Sequence, residues 1–176
     1  MAKFLFVRHG QANYDAVDER NFIGQGRDLA PLTDLGINQL IETSKDPRLR
    51  DCNIIISSPY TRALQSAAII SKEIGVEIRV EVGLHEWVPD IVKFQHKSSE
   101  ECFALARDYA FHEGVHPPNE VKVWETTDSM KKRMDVVLDK YKQYDKVIVV
   151  CHGMVIRTQK YQEDILNGEI IEYAKS

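Results

Sequence analysis

Phe4-Leu5-Phe6-Val7-Arg8-His9-Gly10 is the stretch from which the architecture is read. Its apolar run reads as a strand over residues 4–8, buried on both faces. Two other segments repeat the pattern. Ile54-Ile55-Ile56 runs into Ser58-Pro59-Tyr60-Thr61-Arg62, and Val147-Ile148-Val149-Val150 runs into His152-Gly153. In an open parallel sheet all three would emerge at the carboxyl ends of strands, where α/β proteins bind ligands. Two histidines and two arginines would then face one crevice. That composition asks for an anion, and phosphate fits best.

Between these segments, strand-like and helix-like stretches alternate. Thr33 can cap a helix with Leu32 and Ile37 placed as a hydrophobic staple, and Ile37, Leu40 and Ile41 form its expected buried stripe. After a strand at 53–57, Ser58 suits an N-cap and Pro59 the first helical position. Leu64, Ala67, Ala68 and Ser71 then share one face, and Gly75 suits the terminating position. Val76, Ile78, Val80 and Val82 alternate as in a half-buried strand. Ser98 and Glu101 are spaced as a capping box for a helix reaching about Glu113. Met130, Met134, Val137, Leu138, Tyr141 and Tyr144 define an amphipathic helix before a strand at 146–151. A short helix after Gly153 and a strand near 169–173 follow. The expected fold is therefore three-layer α/β/α around a largely parallel sheet. Residues 11–31 read as a long loop, and about 87–124 as an insertion or cap over the site within a single domain 1–176.

Bulk properties narrow the function classes. The chain has 176 residues, a formal charge of −4 and 43% hydrophobic residues. An acidic balance argues against a nucleic-acid partner, which would require a basic field. No signal-peptide core and no stretch near 18 apolar residues is present, which points to a cytoplasmic protein without a membrane partner. Cys52, Cys102 and Cys151 are too widely spaced for a disulfide framework or a CxxC metal site.

The residue types suggest a division of labour. Arg8 and Arg62 offer planar donor forks that match phosphoryl oxygens, Arg62 within the first turn of a helix. His9, with an ordinary pKa near ~6.5, can act as a neutral nucleophile, more so beside arginines. Gly10 would remove bulk where the backbone passes the ligand. His152, again before a glycine, Gly153, could stabilise charge on the equatorial oxygens. Glu86, in Leu84-His85-Glu86-Trp87, is the candidate acid and base, with Trp87 supplying desolvation. Strand alternation would turn His85 away. Asn13 and Tyr14 lie close enough in sequence to touch substrate, and Lys93, His96, Lys97 and Arg107 are possible contacts from the insertion.

These segments, together with Asp28-Leu29-Ala30-Pro31-Leu32-Thr33-Asp34-Leu35-Gly36 and Ala63-Leu64-Gln65-Ser66-Ala67, resemble the histidine phosphatase (phosphoglycerate mutase-like) superfamily in order and spacing over nearly the whole chain. The resemblance implies that His9 is phosphorylated, that Glu86 is the proton donor, and that Arg8, Arg62 and His152 form the phosphate pocket. It implies no metal and no cofactor. The expected partners are a small phosphorylated substrate and inorganic phosphate, and the expected activity is that of a phosphomonoesterase. A mutase, or a non-catalytic phospho-ligand or protein-binding module, is the alternative on the same fold. Three features depart from the family pattern. Trp87-Val88-Pro89-Asp90 follows Glu86, Trp124-Glu125-Thr126 replaces the frequent Gly-Glu-Ser, and only 24 residues follow His152. The last favours hydrolysis over transfer, because a mutase must shield its phosphoenzyme from water.

His112-Glu113-Gly114-Val115-His116 spells the HExxH zinc-protease motif. Gly114 weakens the required helix and Pro117 disfavours helical backbone at His116, so the motif is read as fortuitous.

Overall fold

Alternation along β1 (Lys3–Arg8) sorts the interior into two halves. Phe4 and Phe6 point to one side of the sheet, Leu5 and Val7 to the other, and all four are fully buried. Burying each such side chain is worth roughly 1.5–3 kcal/mol, so one strand alone ties both layers to the sheet. β2 (Ile54–Ser57) and β4 (Lys146–Cys151) divide in the same way. The computed structural model describes residues 2–175.

The sheet runs β3-β2-β4-β1-β5, with β3 (Ile78–Val80) and β5 (Ile170–Ala174) at its edges. Neighbours among the first four strands are parallel, and β5 is antiparallel to β1. One face carries α2 (Asp34–Thr43) and α3 (Thr61–Ile74), through Leu40, Ala63, Ala67 and Ile70. The other carries α5 (Thr127–Asp139) and α6 (Gly153–Arg157), through Met130, Met134, Val155 and Ile156. This is a three-layer α/β/α fold with a largely parallel sheet. A single turn, α1 (Asp15–Asp18), and a 3-10 segment, Gly24–Leu29, lie within the 11–31 loop. Residues 87–124 hold one helix, α4 (Ser99–Phe111), capped by the Ser98 hydroxyl. No helix among the described residues is long and apolar enough to cross a membrane.

Several local expectations are corrected. Of the stripe expected on α2, Leu40 is buried, Ile37 is half-buried and Ile41 is exposed. Helix α3 starts two residues later than Pro59 would place it, with Tyr60 as its N-cap. Its buried face is Arg62, Ala63, Ser66, Ala67 and Ile70, whereas Leu64 and Ala68 are exposed. Hydropathy misplaces the inward face of this helix because that face carries a buried charged residue, Arg62, and a buried serine, Ser66. Strand β3 is shorter than 76–82; Val80 is exposed at the sheet edge, and Val82, also exposed, lies beyond the strand in a 3-10 turn. In the HExxH segment, helix α4 ends at Phe111, and Glu113 and Gly114 both take positive φ. His112 stacks on Trp124, and His116 meets the same indole edge-on while bonding the Trp124 carbonyl. Both rings pack around a buried tryptophan.

Candidate active site

Sheet register brings the three sequence segments together. Arg8 pairs with Cys151, and Ser57 with Val150, so His9, Ser58 and His152 all step off adjacent strand ends. The exits are tied across: His9 N–H donates to Cys151 O at 3.1 Å, and Ser58 N–H to Val150 O at 3.0 Å. β4 lies between β1 and β2, and the crevice opens at that point of the strand order.

His9 is almost wholly buried, and its ring is oriented by both nitrogens. Nδ1 lies 2.7 Å from Gly10 O and must donate to it, so Nε2 carries the lone pair. Arg62 Nε donates to that Nε2 at 3.4 Å. Asn167 Nδ2 holds the His9 carbonyl at 2.8 Å from the far end of the chain. Burial first, then the Arg62 charge, push the His9 pKa down to about 3. The His152 ring sits edge-on to His9 with centroids 5.0 Å apart. Its Nε2 is 2.7 Å from Ser58 Oγ, and burial again holds its pKa well below the ordinary value. Ser58, expected to cap a helix, instead positions a histidine.

Arg62 is held on every side. Its Nη1 donates to Asp28 Oδ1 at 3.0 Å, and its guanidinium carbon lies 5.1 Å and 5.9 Å from the ring centroids of Tyr60 and Tyr14. Burial pushes the Asp28 carboxyl up against the pull of Arg62. Arg8 donates through Nη1 to Ile165 O, and burial lowers its pKa. Its Nε and the Nδ1 of His152 are buried without a protein partner. Buried polar groups are nearly always satisfied. Both orphans lie where β1 and β4 end.

Glu86 lines a cavity of about 260 Å³ with Arg62, Tyr60, Asp28, Trp87 and Met154. Burial raises its pKa, opposed by the Trp87 N–H, which reaches Glu86 Oε1 at 2.9 Å, and by Arg62 and Arg133. The segment carrying Glu86 is clamped from α5. Arg133 donates to Gly83 O and His85 O, both at 2.7 Å, and pairs in bidentate fashion with Glu125 at 2.8 and 2.9 Å. Replacing Arg133 by Met should cost about 3–5 kcal/mol, because Glu125 would stay buried without its partner. Urea unfolding checks this, and adding Glu125→Gln should recover part of the loss.

Several sequence expectations shift in this geometry. A side chain at Gly10 would collide with Gly36 O at 2.4 Å and Leu40 at 2.6 Å, so packing against α2 by itself requires glycine here. At Gly153 an added Cβ would meet only ordinary contacts, 3.6 Å from Arg8 Nε. Asn13 stays out of the cavity wall and accepts from Ala16 N–H, while Tyr14 forms part of the wall. Trp87 is in the wall, its indole N–H donating to Glu125 O. His85 stays outside that wall, 6.1 Å from the Tyr60 ring. Of the four insertion candidates only His96 lines the cavity; Lys93, Lys97 and Arg107 are exposed. Asp28, Ser58, Tyr60 and Asn167 were missed as site residues. Their signal is tertiary, since a lone Asn or Asp in a loop carries no periodicity.

The depressed His9 pKa makes stability depend on pH. The unfolded ring takes up a proton below about 6.5, whereas the folded ring does so only near 3. Stability from this group is therefore complete above the unfolded value and is lost as pH falls from 6.5 toward 3. Between pH 7 and pH 5 the loss should be about 2 kcal/mol, and His9→Asn should shrink the measured pH difference in urea unfolding by that amount.

Residues 4–161 match the family model for the histidine phosphatase superfamily (branch 1). The chain belongs to this superfamily. A relative from Hydrogenobacter thermophilus, provisionally named phosphoserine phosphatase 2, is 26% identical over 87% of this chain and 74% of its own length. Another, from Cronobacter sakazakii and provisionally named phosphoglycerate mutase GpmB, is 25% identical over 89% of this chain and 72% of its own. Among solved structures, mycobacterial glucosyl-3-phosphoglycerate phosphatase superposes with a TM-score of 0.73 at 18% identity, covering 98% of this chain and 89% of that one. At that identity the likeness speaks for the fold. Within the superfamily, then, this chain has relatives bearing both phosphatase and mutase names.

Proposed function

We propose that this histidine phosphatase superfamily member hydrolyses small phosphomonoesters through a phosphohistidine on His9. The observation that carries this reading is the His9 ring itself. It is neutral, with Nδ1 anchored to Gly10 O and the Nε2 lone pair turned toward Arg62.

Phosphoryl transfer depends chiefly on positioning and charge stabilisation. Arg62, Arg8 Nε and His152 Nδ1 would take the non-bridging oxygens. Ser58 Oγ already accepts from Tyr60 N–H, and it can donate its own proton to His152 Nε2, which leaves Nδ1 as the N–H donor. His9 Nε2 then attacks phosphorus, the P–O ester bond breaks, and Glu86 gives its proton to the departing oxygen. The Gly10 carbonyl stabilises the ring cation that forms. In the second half, water attacks phosphorus, Glu86 takes the proton of that water, and the P–N bond breaks to release phosphate and neutral His9. A carboxyl whose pKa is raised by burial suits both directions. Residues 87–124 would act as a cap, since Trp87, Val88, His96 and α4 close one side of the cavity.

Rapid quench during turnover of a phosphorus-labelled ester should trap a protein-bound adduct that is stable to base and lost in acid. Turnover with no such adduct in wild-type protein would overturn the mechanism. Migration of phosphate between positions of one phosphoglycerate, without release of inorganic phosphate, would favour the mutase reading.

A further inference from the structure

Asn167 and Gly168 form the turn that leads into β5, closed by Glu169 N–H donating to Leu166 O at 3.1 Å. An asparagine in a turn commonly bonds its own backbone nearby. The Asn167 amide instead reaches back to the exit of β1, where Nδ2 donates to His9 O at 2.8 Å. Gly168 takes the preceding carbonyl, its N–H donating to Arg8 O at 2.9 Å. Two consecutive carbonyls are thus held by two consecutive residues of one turn. The turn is itself fixed from outside. Arg8 Nη1 donates to Ile165 O, and the Thr43 hydroxyl is shared between Gly168 O at 2.8 Å and Gln39 O at 2.9 Å. The Glu169 carboxylate accepts from Leu166 N–H and from Gln162 Nε2, both at 2.6 Å.

The His9 carbonyl belongs to a peptide group whose other end is also taken. Its N–H is that of Gly10, which donates to Ser66 Oγ at 3.2 Å. Ser66 is fully buried on α3 and donates in turn to Arg62 O at 2.7 Å. A peptide group is planar, so holding both of its polar atoms fixes the plane and the direction in which the chain continues to Gly10 O. That oxygen accepts from His9 Nδ1 at 2.7 Å, the bond that leaves the lone pair on Nε2. Strand pairing does not need the Asn167 amide, because β1 and β5 are already in register from Lys3 opposite Ala174 to Val7 opposite Ile170.

We infer that Asn167 is a positioning residue for His9: its amide, with Ser66 opposite, locks the peptide from which the Gly10 carbonyl holds the imidazole in its nucleophilic tautomer. The inference rests on the phosphohistidine reading, since the tautomer matters to the reaction only if Nε2 attacks phosphorus. Asn167 acts through His9 and touches no reacting atom. Its loss therefore falls on the rate of attack and leaves the arginines that would hold phosphate in place.

Asn167→Ala removes the donor, and Asn167→Asp keeps the shape but turns a second acceptor toward the His9 carbonyl. Rapid quench with labelled p-nitrophenyl phosphate reads formation of the phosphoenzyme, and calorimetry reads affinity for inorganic phosphate. Both variants should form the adduct at least about tenfold more slowly, with phosphate affinity within about threefold of wild type. In NMR spectra of isotope-labelled histidine, the Nδ1–H signal of His9, assigned by its loss in His9→Asn protein, should give way to a mixture of tautomers. Ser66→Ala opens the other end of the same peptide and should also slow adduct formation and mix the tautomers, which keeps the test decisive should both Asn167 variants fail to fold. Thr43→Ala loosens the turn without touching the His9 carbonyl, and should leave adduct formation within about threefold of wild type. Wild-type rates and an unchanged tautomer in the folded variants would overturn the assignment. So would equal slowing in Thr43→Ala, which would assign the effect to the turn as a whole. Turnover by wild-type protein with no trapped adduct would instead remove the phosphohistidine reading itself.

Discussion

His9→Ala protein should fold and release phosphate from p-nitrophenyl phosphate at least about 10⁴-fold more slowly than wild type. No neighbouring group can replace Nε2. His152 is the nearest imidazole, with ring centroids 5.0 Å away, but its Nε2 is committed to Ser58. Arg62, Arg8 and His152 would still bind phosphate, so the loss should fall on kcat and leave the affinity for inorganic phosphate largely intact. Folding should survive, since His9 packs in a polar crevice and the strand before it supplies the burial. A steady-state assay beside phosphate calorimetry separates the two. Activity within tenfold of wild type would remove His9 as nucleophile.

Glu86→Gln should slow alkyl phosphates by about 10²–10⁴-fold in kcat/KM, while p-nitrophenyl phosphate should change by less than about tenfold. The difference follows from where the proton is needed. An alkoxide is too basic to leave unprotonated, whereas p-nitrophenolate leaves as a stable anion. The comparison belongs in kcat/KM, which reports steps through P–O cleavage; kcat also contains hydrolysis of the phosphoenzyme, where Glu86 serves as base. Gln keeps the size of the side chain and can keep accepting from Trp87 N–H, so the cavity should hold its shape. Equal slowing of both ester types would show that Glu86 acts otherwise than as the acid.

The catalytic candidates were legible because each follows a buried strand. Strand ends in a parallel sheet share an edge, and Arg8, His9, Arg62 and His152 could be placed in one crevice before any distance was known. Glu86 was legible for a related reason, as it comes soon after the edge strand β3. The face of α3 was not legible. Its inward side holds Arg62 and Ser66, which hydropathy assigns to solvent, and Ser66 Oγ accepts from Gly10 N–H while donating to Arg62 O. Nor was the Arg133–Glu125 clamp, whose grip on Gly83 and His85 joins α5 to a distant loop.

By itself the sequence determined the layered α/β class, the order of elements and the four residues at strand ends, because those follow from local periodicity and from where parallel strands terminate. Only the tertiary structure decided which nitrogen of His9 is free, that Ser58 serves His152, that Asn13 is outside the cavity, and that His96 alone among the four insertion candidates lines it. Those outcomes depend on hydrogen bonds between residues far apart in the chain, which are chosen by packing and leave no mark on local sequence pattern.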